Sequence, residues 1–351
     1  MLRADDDQAL AFRLAGHHLH ARTDPLTAVA ACGLQEFPPG WAAVALHARS
    51  EGEPAREEVV VVNAMRGAPY LVPRADVAIF TRALVPDDDG LKVLVGANSA
   101  KEVQAEGLSV REALDRVSAA ARDGLAAGPL DRDAFHQALR ERLPAGLLPW
   151  CRGCQSHHVR PGLWRALGVT EMPEKATYAL AVEPEMALHV ARAELARRFL
   201  RCYGPATHTH LASWAQTAPA HAKSLLELIE NELEAVRVGG SRRWILAADA
   251  GRLEAPPPAR GVRLLGGFDP YVAQPDRDAL VPDPTIRKKL FPPVGRPGVI
   301  LHDGAVAGLW RSRKKGELLE ITPEWVGEPV DLAEEAAVVA GLRGCSRAEI
   351  G

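Results

Sequence analysis

The sequence lacks any run of the roughly 18 consecutive apolar residues that a membrane-spanning helix needs, which excludes a helical membrane protein and a membrane partner. It also lacks the basic-then-apolar start of a secretion signal, since the chain begins MLRADDDQALAF, and cytoplasmic residence is the expectation. Cysteine is scarce and odd in number (Cys32, Cys151, Cys154, Cys202, Cys345), which argues against a disulfide framework and for a reducing compartment. Neither GxGxxG nor GxxxxGK occurs, so nothing marks a dinucleotide or P-loop site. A strong net charge is missing too: at −3 the chain is not generally basic, and any nucleic-acid surface must be a local patch.

What is present is an ordinary globular composition, 47% apolar and 25% charged, on 351 residues, enough for two to four packed units. Charge is distributed unevenly. Arg287, Lys288, Lys289, Arg296, Arg311, Arg313, Lys314 and Lys315 form a basic block opposed by only two aspartates. Glu317, Glu320, Glu324, Glu328, Asp331, Glu334 and Glu335 follow with no base among them. The block reads either as a ridge for DNA phosphates or as a solvated face.

One order of elements recurs three times: helices, then a short strand pair. Helices are predicted over 6–22, from Asp24-Pro25, and over 41–49, followed by a valine-rich strand at 58–65 and its partner at 70–72. A second set starts at Ser109-Val-Arg-Glu112, with capping-box spacing, and runs through helices at 131–143 and 155–167 to a strand at 177–182. The third has helices over 191–203 and 207–216, a long helix from Pro219 to near Glu234, and a hairpin at 235–246. This is winged helix-turn-helix order. Past Pro256-Pro257-Pro258, strands at 298–302 and 305–311 flank Asp303-Gly304 and turn into 317–322, and 331–342 closes as a helix. The expected fold is mainly α with α+β modules: winged-helix units at 1–84, 85–185 and 186–252, an antiparallel β unit at 258–330, and a helix and tail at 331–351.

In the third unit, His221 and Lys223 near the start of the long helix, and Arg242 and Arg243 on the wing, are the DNA-binding candidates. Acidic Glu227, Glu230, Glu232 and Glu234 on the same stretch keep a purely structural winged helix open. Cys151-x-x-Cys154 followed by His157 and His158 offers the soft donors and tight spacing of a zinc site, with His47 or His136 available to complete it. Buried cysteines in a turn with solvent-facing histidines are the plainer reading. His17, His18 and His20 are expected on the surface.

Gly33-Leu34-Gln35, Met65-Arg66-Gly67, Gly204-Pro205-Ala206-Thr207, Phe268-Asp269-Pro270-Tyr271 and Asp303-Gly304 through Trp310-Arg311, taken in order, resemble bacterial winged-helix DNA-binding proteins that include DNA glycosylases of alkylpurine and crosslink adducts. The likeness runs over roughly residues 8–322. It implies hydrolysis of an N-glycosidic bond in double-stranded DNA, with no cofactor required. It also implies a Gln–apolar–Gln motif before a helix of the first unit. Here Gln35 keeps the first position, while Glu36 and Phe37 replace the others. Glu36 is the candidate replacement for the lost polar group, as base or counter-charge. Ala68 and Tyr70 stand where the resemblance implies threonine and histidine, and Arg66 remains as a phosphate candidate. Three readings stay open: DNA binding without catalysis, a glycosylase using Gln35 and Glu36, and a zinc- or thiol-dependent regulator.

Overall fold

Helix starts follow the capping chemistry written in the sequence. Asp5 and Gln8 form a reciprocal capping box on α1 (Asp6–Gly16). The Asp24 carboxylate accepts from the Thr27 N–H at 2.9 Å and Pro25 opens α2 (Pro25–Cys32). α1 stops six residues short of its predicted end at residue 22. A Cβ at Gly16 would lie 2.0 Å from the Arg201 carbonyl oxygen, so the chain approaches its neighbour too closely there for a side chain. His18 then turns into the left-handed region at φ 54°. The computed structural model describes residues 1–165, 170–172, 174, 176–182 and 185–351. The chain divides into two compact units, with elements numbered along the whole chain.

The first unit combines Met1–Pro54, Arg197–Thr207 and Asn231–Gly351. Its smaller sheet places β1 (Leu2–Ala4) parallel to β10 (Leu233–Val238), which pairs antiparallel with β11 (Ser241–Leu246). Gly239 and Gly240, at φ 53° and 83°, make the tight turn between them. The larger sheet runs β12 (Val262–Leu265), β13 (Gly298–His302), β14 (Ala305–Lys315), β15 (Leu318–Trp325) and β16 (Arg347–Ile350), with β16 parallel to β15 and all other pairs antiparallel. The expected three-stranded meander therefore gains a strand on each side. Strand alternation divides the core. Ile300 and Trp310 pack with Val44 of α3 (Trp41–His47) and Val339 of α16 (Ala333–Leu342). Val299, Leu301 and Leu309 pack with Leu14, Tyr271 and Leu290. The unit also contains β2 (Leu34–Gln35), α13 (Ala250–Glu254), α14 (Arg277–Leu280) and α15 (Pro284–Leu290). At its centre Arg49 grips Asp269 with two bonds of 2.8 and 2.6 Å, both groups fully buried.

The second unit combines Ala55–Ala196 and His208–Glu230. Its strands run β4 (Pro69–Pro73), β3 (Val59–Asn63), β8 (Thr170–Glu171), β9 (Thr177–Leu180) and β5 (Leu130–Asp131). Helices α4 (Val77–Phe80), α5 (Leu91–Val95), α6 (Ala97–Ala105), α7 (Val110–Leu125), α8 (Arg132–Arg142) and α9 (Pro161–Arg165) belong to it. Leu114, Val117, Phe135, Leu139, Trp164 and Tyr178 form its core. Ser109 and Glu112 make the expected capping box, and Asp131 caps α8. The helix predicted from Gln155 is instead a hairpin of β6 (Trp150–Cys151) and β7 (Ser156–His157), then the short α9; the end of that prediction, at Leu167, lies outside the described residues. α10 (Leu188–Tyr203) contains the sequence boundary between units. α11 (His208–Ala215) and α12 (Pro219–Glu227) follow. α12 is shorter than expected, because Glu230–Glu232 form a 3₁₀ turn and β10 begins at Leu233. The architecture is a mixture of α and β rather than mainly α.

Candidate functional site

The Gln35-Glu36-Phe37 motif splits into three environments. Gln35 ends β2 and is buried. Glu36 accepts from the backbone N–H groups of Gly40 and Ala42 at 2.6 and 2.9 Å, one on each carboxylate oxygen. Gly40, the N-cap of α3 at φ 85°, has no side chain to cap with. Glu36 therefore satisfies the first donors of that helix from upstream. Both carboxylate oxygens are thus engaged at the start of α3. Phe37 is half exposed, and its ring meets Phe268 edge-on at 5.9 Å.

Two glycines put Phe268 there. A Cβ at Gly266 would strike the Trp41 ring at 2.4 Å, and one at Gly267 would meet the Pro297 and Arg296 carbonyl oxygens at 2.6 and 2.7 Å. The strand exit thus passes directly beneath the Arg296-Pro297 backbone. The Arg296 guanidinium lies 5.4 Å from the Phe268 ring centre and 5.7 Å from that of Phe291, and Arg277 lies 4.3 Å from Phe291. Arg277, Arg287, Lys288 and Phe291 line an open cleft of about 460 Å³, with Asp278 also on its wall. Rings and guanidiniums alternate from Phe268 through Arg296 and Phe291 to Arg277, with the Phe37 ring set against Phe268 at one end. Such a surface offers stacking and cation–π contacts to bases and charge to phosphates. Sequence reading placed Arg287, Lys288 and Arg296 in the basic block but did not join them with Phe268, Arg277 and Phe291 into one set, because three separate segments supply it.

The rest of the basic block is less cationic than its sequence. β15 folds back on β14, bringing acids that follow the block in sequence directly beside it. Lys289 pairs with Glu324, and Lys315 pairs with Glu320 at 2.5 Å. Arg313 stands opposite Glu320 in the register. Lys314 donates to the carbonyls of Arg343 and Gly344 at the end of α16, and Arg311 to that of Gly295.

Of the other expected DNA contacts, His221 and Arg243 turn inward. His221 is buried and its Nε2 lies 3.0 Å from the Ala83 carbonyl oxygen. Burial lowers its pKa. Lys223 is exposed and pairs with Glu227 along α12. Arg243 is bound to Asp276 by two bonds of 2.5 and 3.0 Å, and Arg13 reaches the same carboxylate at 2.6 Å. Burial alone would raise the Asp276 pKa, but Arg243 and Arg13 together hold it below the ordinary value. Arg242 remains exposed and stacks on Trp244 at 4.6 Å. Arg66, at φ 58°, donates to the Trp214 carbonyl and to the Tyr70 hydroxyl, so Tyr70 serves to hold it.

Cysteine and histidine gather at two places. Cys151, Cys154 and His158 have donor atoms within 4.8 Å of one another, as do the buried His17, Cys32 and Cys202. The Cys154 backbone N–H, helped by the His158 imidazole, lowers the Cys151 thiol to about 7. His157, expected among these ligands, faces away: its Nδ1 lies 2.8 Å from the Leu148 carbonyl oxygen and its ring packs edge-on against Trp150. His17, expected on the surface, is wholly buried between Tyr203 and Tyr271.

Comparison with known proteins adds three findings. A family described as DNA glycosylase AlkZ-like matches residues 28–347. An interstrand DNA cross-link repair glycosylase from Streptomyces sahachiroi is 32% identical over 157 residues, a match spanning 43% of this chain and 42% of that protein. The solved structure of Streptomyces sahachiroi DNA glycosylase AlkZ is similar with a TM-score of 0.71 at 23% identity, over 100% of both chains, so the fold is shared. No described helix is long and apolar enough to cross a membrane.

Proposed function

The chain belongs to the AlkZ-like DNA glycosylase family, and from that premise we propose that it hydrolyses the N-glycosidic bond of alkylated or crosslinked purines in double-stranded DNA. Family membership favours this reading over DNA binding without catalysis. The observation that carries it is the series of aromatic rings and guanidiniums, Phe268, Arg296, Phe291 and Arg277, that adjoins Phe37, two residues beyond Gln35.

Each part of the series has a task in that reaction. A purine inside a duplex is out of reach, so the helix must open locally, and an exposed phenylalanine is a suitable wedge between base steps. Arg277, Arg287, Arg296 and Lys288 hold the adjacent backbone. Gln35 orients a water toward the sugar C1′ and supports the cationic sugar through its amide oxygen. The water oxygen forms the new bond to C1′. The electron pair of the N-glycosidic bond leaves with the purine, and the water proton passes to solvent. A purine alkylated on a ring nitrogen departs neutral, so the leaving group needs no acid. This compensates for a motif whose carboxylate, Glu36, caps α3. No cofactor enters these steps. The proposal includes winged-helix organisation over 1–84, 85–185 and 186–252, supported in the third segment by the order α10, α11, α12, β10, β11.

The test is a single-turnover assay on two duplexes that differ only in one N7-alkylguanine, with binding followed in parallel. Release of the modified base alone supports the proposal. Equal binding to both duplexes with no release at enzyme excess removes it.

A further inference from the structure

We propose that Cys151, Cys154, His158 and His136 form a tetrahedral Zn²⁺ site that pins the β6–β7 hairpin to α8. The two cysteines flank a turn of the kind that presents both sulfurs to one side. Gln155 takes a left-handed conformation at φ 51°, and its side-chain amide donates to the Arg152 carbonyl at 2.6 Å, fixing the turn. Immediately after the hairpin, His158 brings a donor within 4.8 Å of both sulfurs. Its Nδ1 lies 2.8 Å from the Val159 carbonyl oxygen. That contact assigns the ring proton to Nδ1 and leaves a lone pair on Nε2, the usual way a backbone carbonyl orients a ligating histidine.

The fourth donor comes from α8. The His136 ring lies 5.5 Å from the His158 ring, centroid to centroid. His158 Nε2 and His136 Nδ1 are both buried without a hydrogen-bond partner. Two buried imidazole nitrogens without partners, on rings 5.5 Å apart and with His158 beside both sulfurs, are unfavourable unmatched and fitting around a cation. The donor set selects the metal: two thiolates and two imidazoles suit Zn²⁺ and disfavour Mg²⁺ and Ca²⁺, which prefer oxygen. Charge balances as well, since two thiolates neutralise the dication and both histidines are neutral. Binding releases the two thiol protons to solvent, with no redox change.

The experiment uses the full chain purified under reducing conditions, stripped with a chelator, and titrated with Zn²⁺ against a chromogenic competitor, with Co²⁺ as a spectroscopic substitute. We expect about one equivalent of zinc per chain and a tetrahedral, thiolate-ligated Co²⁺ spectrum. Cys154→Ser and His158→Ala should abolish uptake, and His136→Ala should weaken it at least about tenfold. His157→Ala should bind as the parent does. No uptake by the parent chain overturns the site, as does an octahedral Co²⁺ spectrum or a count of three free thiols revealing a Cys151–Cys154 disulfide. Loss of uptake in His157→Ala also overturns the ligand set. Should the variants fold poorly, the parent's Co²⁺ spectrum decides alone.

Discussion

Phe37 meets Phe268 edge to face, with ring centres 5.9 Å apart, and Phe268 in turn carries the Arg296 guanidinium 5.4 Å from its centre. The phenylalanine that replaces the second polar residue of the motif thus opens a stacking surface. Removing either ring should weaken DNA binding by about 1–3 kcal/mol, the usual worth of one base–aromatic stack. Equilibrium titration of Phe37→Ala and Phe268→Ala with a lesion-containing duplex measures this. Unchanged affinity in both would leave the series a packing feature.

Charge should act from the cleft rather than from the β14 ridge. Lys288 lines the cleft, whereas Lys315 is paired with Glu320 and Lys314 caps α16. Lys288→Ala should reduce the slope of log affinity against log salt by about 1. Lys314→Ala with Lys315→Ala should change it by clearly less. The reverse ranking would return the interface to the ridge.

Glu36 separates a cap from a base. Its amide variant keeps an oxygen that can accept from Gly40 or Ala42, so Glu36→Gln should retain most base release. Glu36→Ala should lower stability by about 0.5–2 kcal/mol, the range for losing an N-cap, as read by urea denaturation. A collapse of release in Glu36→Gln with normal stability would instead make the carboxylate catalytic.

Acid should loosen the first unit through His18. Burial, reinforced by His17, His20, Arg49 and Arg252 around it, lowers the His18 pKa to about 4. In the unfolded chain it titrates near about 6.5. Between these values the unfolded state binds a proton that the folded state refuses, so stability falls as pH drops through that window and is unaffected above it. Thermal unfolding of the parent and of His18→Asn, which suits the left-handed backbone at φ 54°, tests this. The variant should show a shallower decline from pH 6.5 to 4. Parallel curves would remove His18 as a source.

The parts legible in the sequence are those set by neighbours along the chain. Asp24-Pro25, the Ser109/Glu112 box and Asp303-Gly304 each announced an element that is present. What stayed hidden depends on distant partners. β16 joins its sheet by parallel pairing with β15, which leaves no local mark. The basic and acidic blocks look separate until β14 and β15 bring them together. His221 has the position of a base reader, yet only the carbonyl of Ala83 explains its burial. The helix predicted from Gln155 gives way to a hairpin because Cys151 and Ser156 pair across a turn whose left-handed residue is glutamine, not glycine. Gln35, in contrast, stands out by its place in a motif, and it is buried at the end of β2.

The most direct measurement is single-turnover release of an N7-alkylguanine from duplex DNA by the full chain and by Gln35→Ala at matched occupancy. We expect release by the parent and a loss of about 10²-fold or more in the variant, the scale on which one preorganised polar group acts, with affinity nearly unchanged. Release by Gln35→Ala at the parent's rate, or a parent that binds tightly and frees no base, would contradict a glycosylase working through that glutamine.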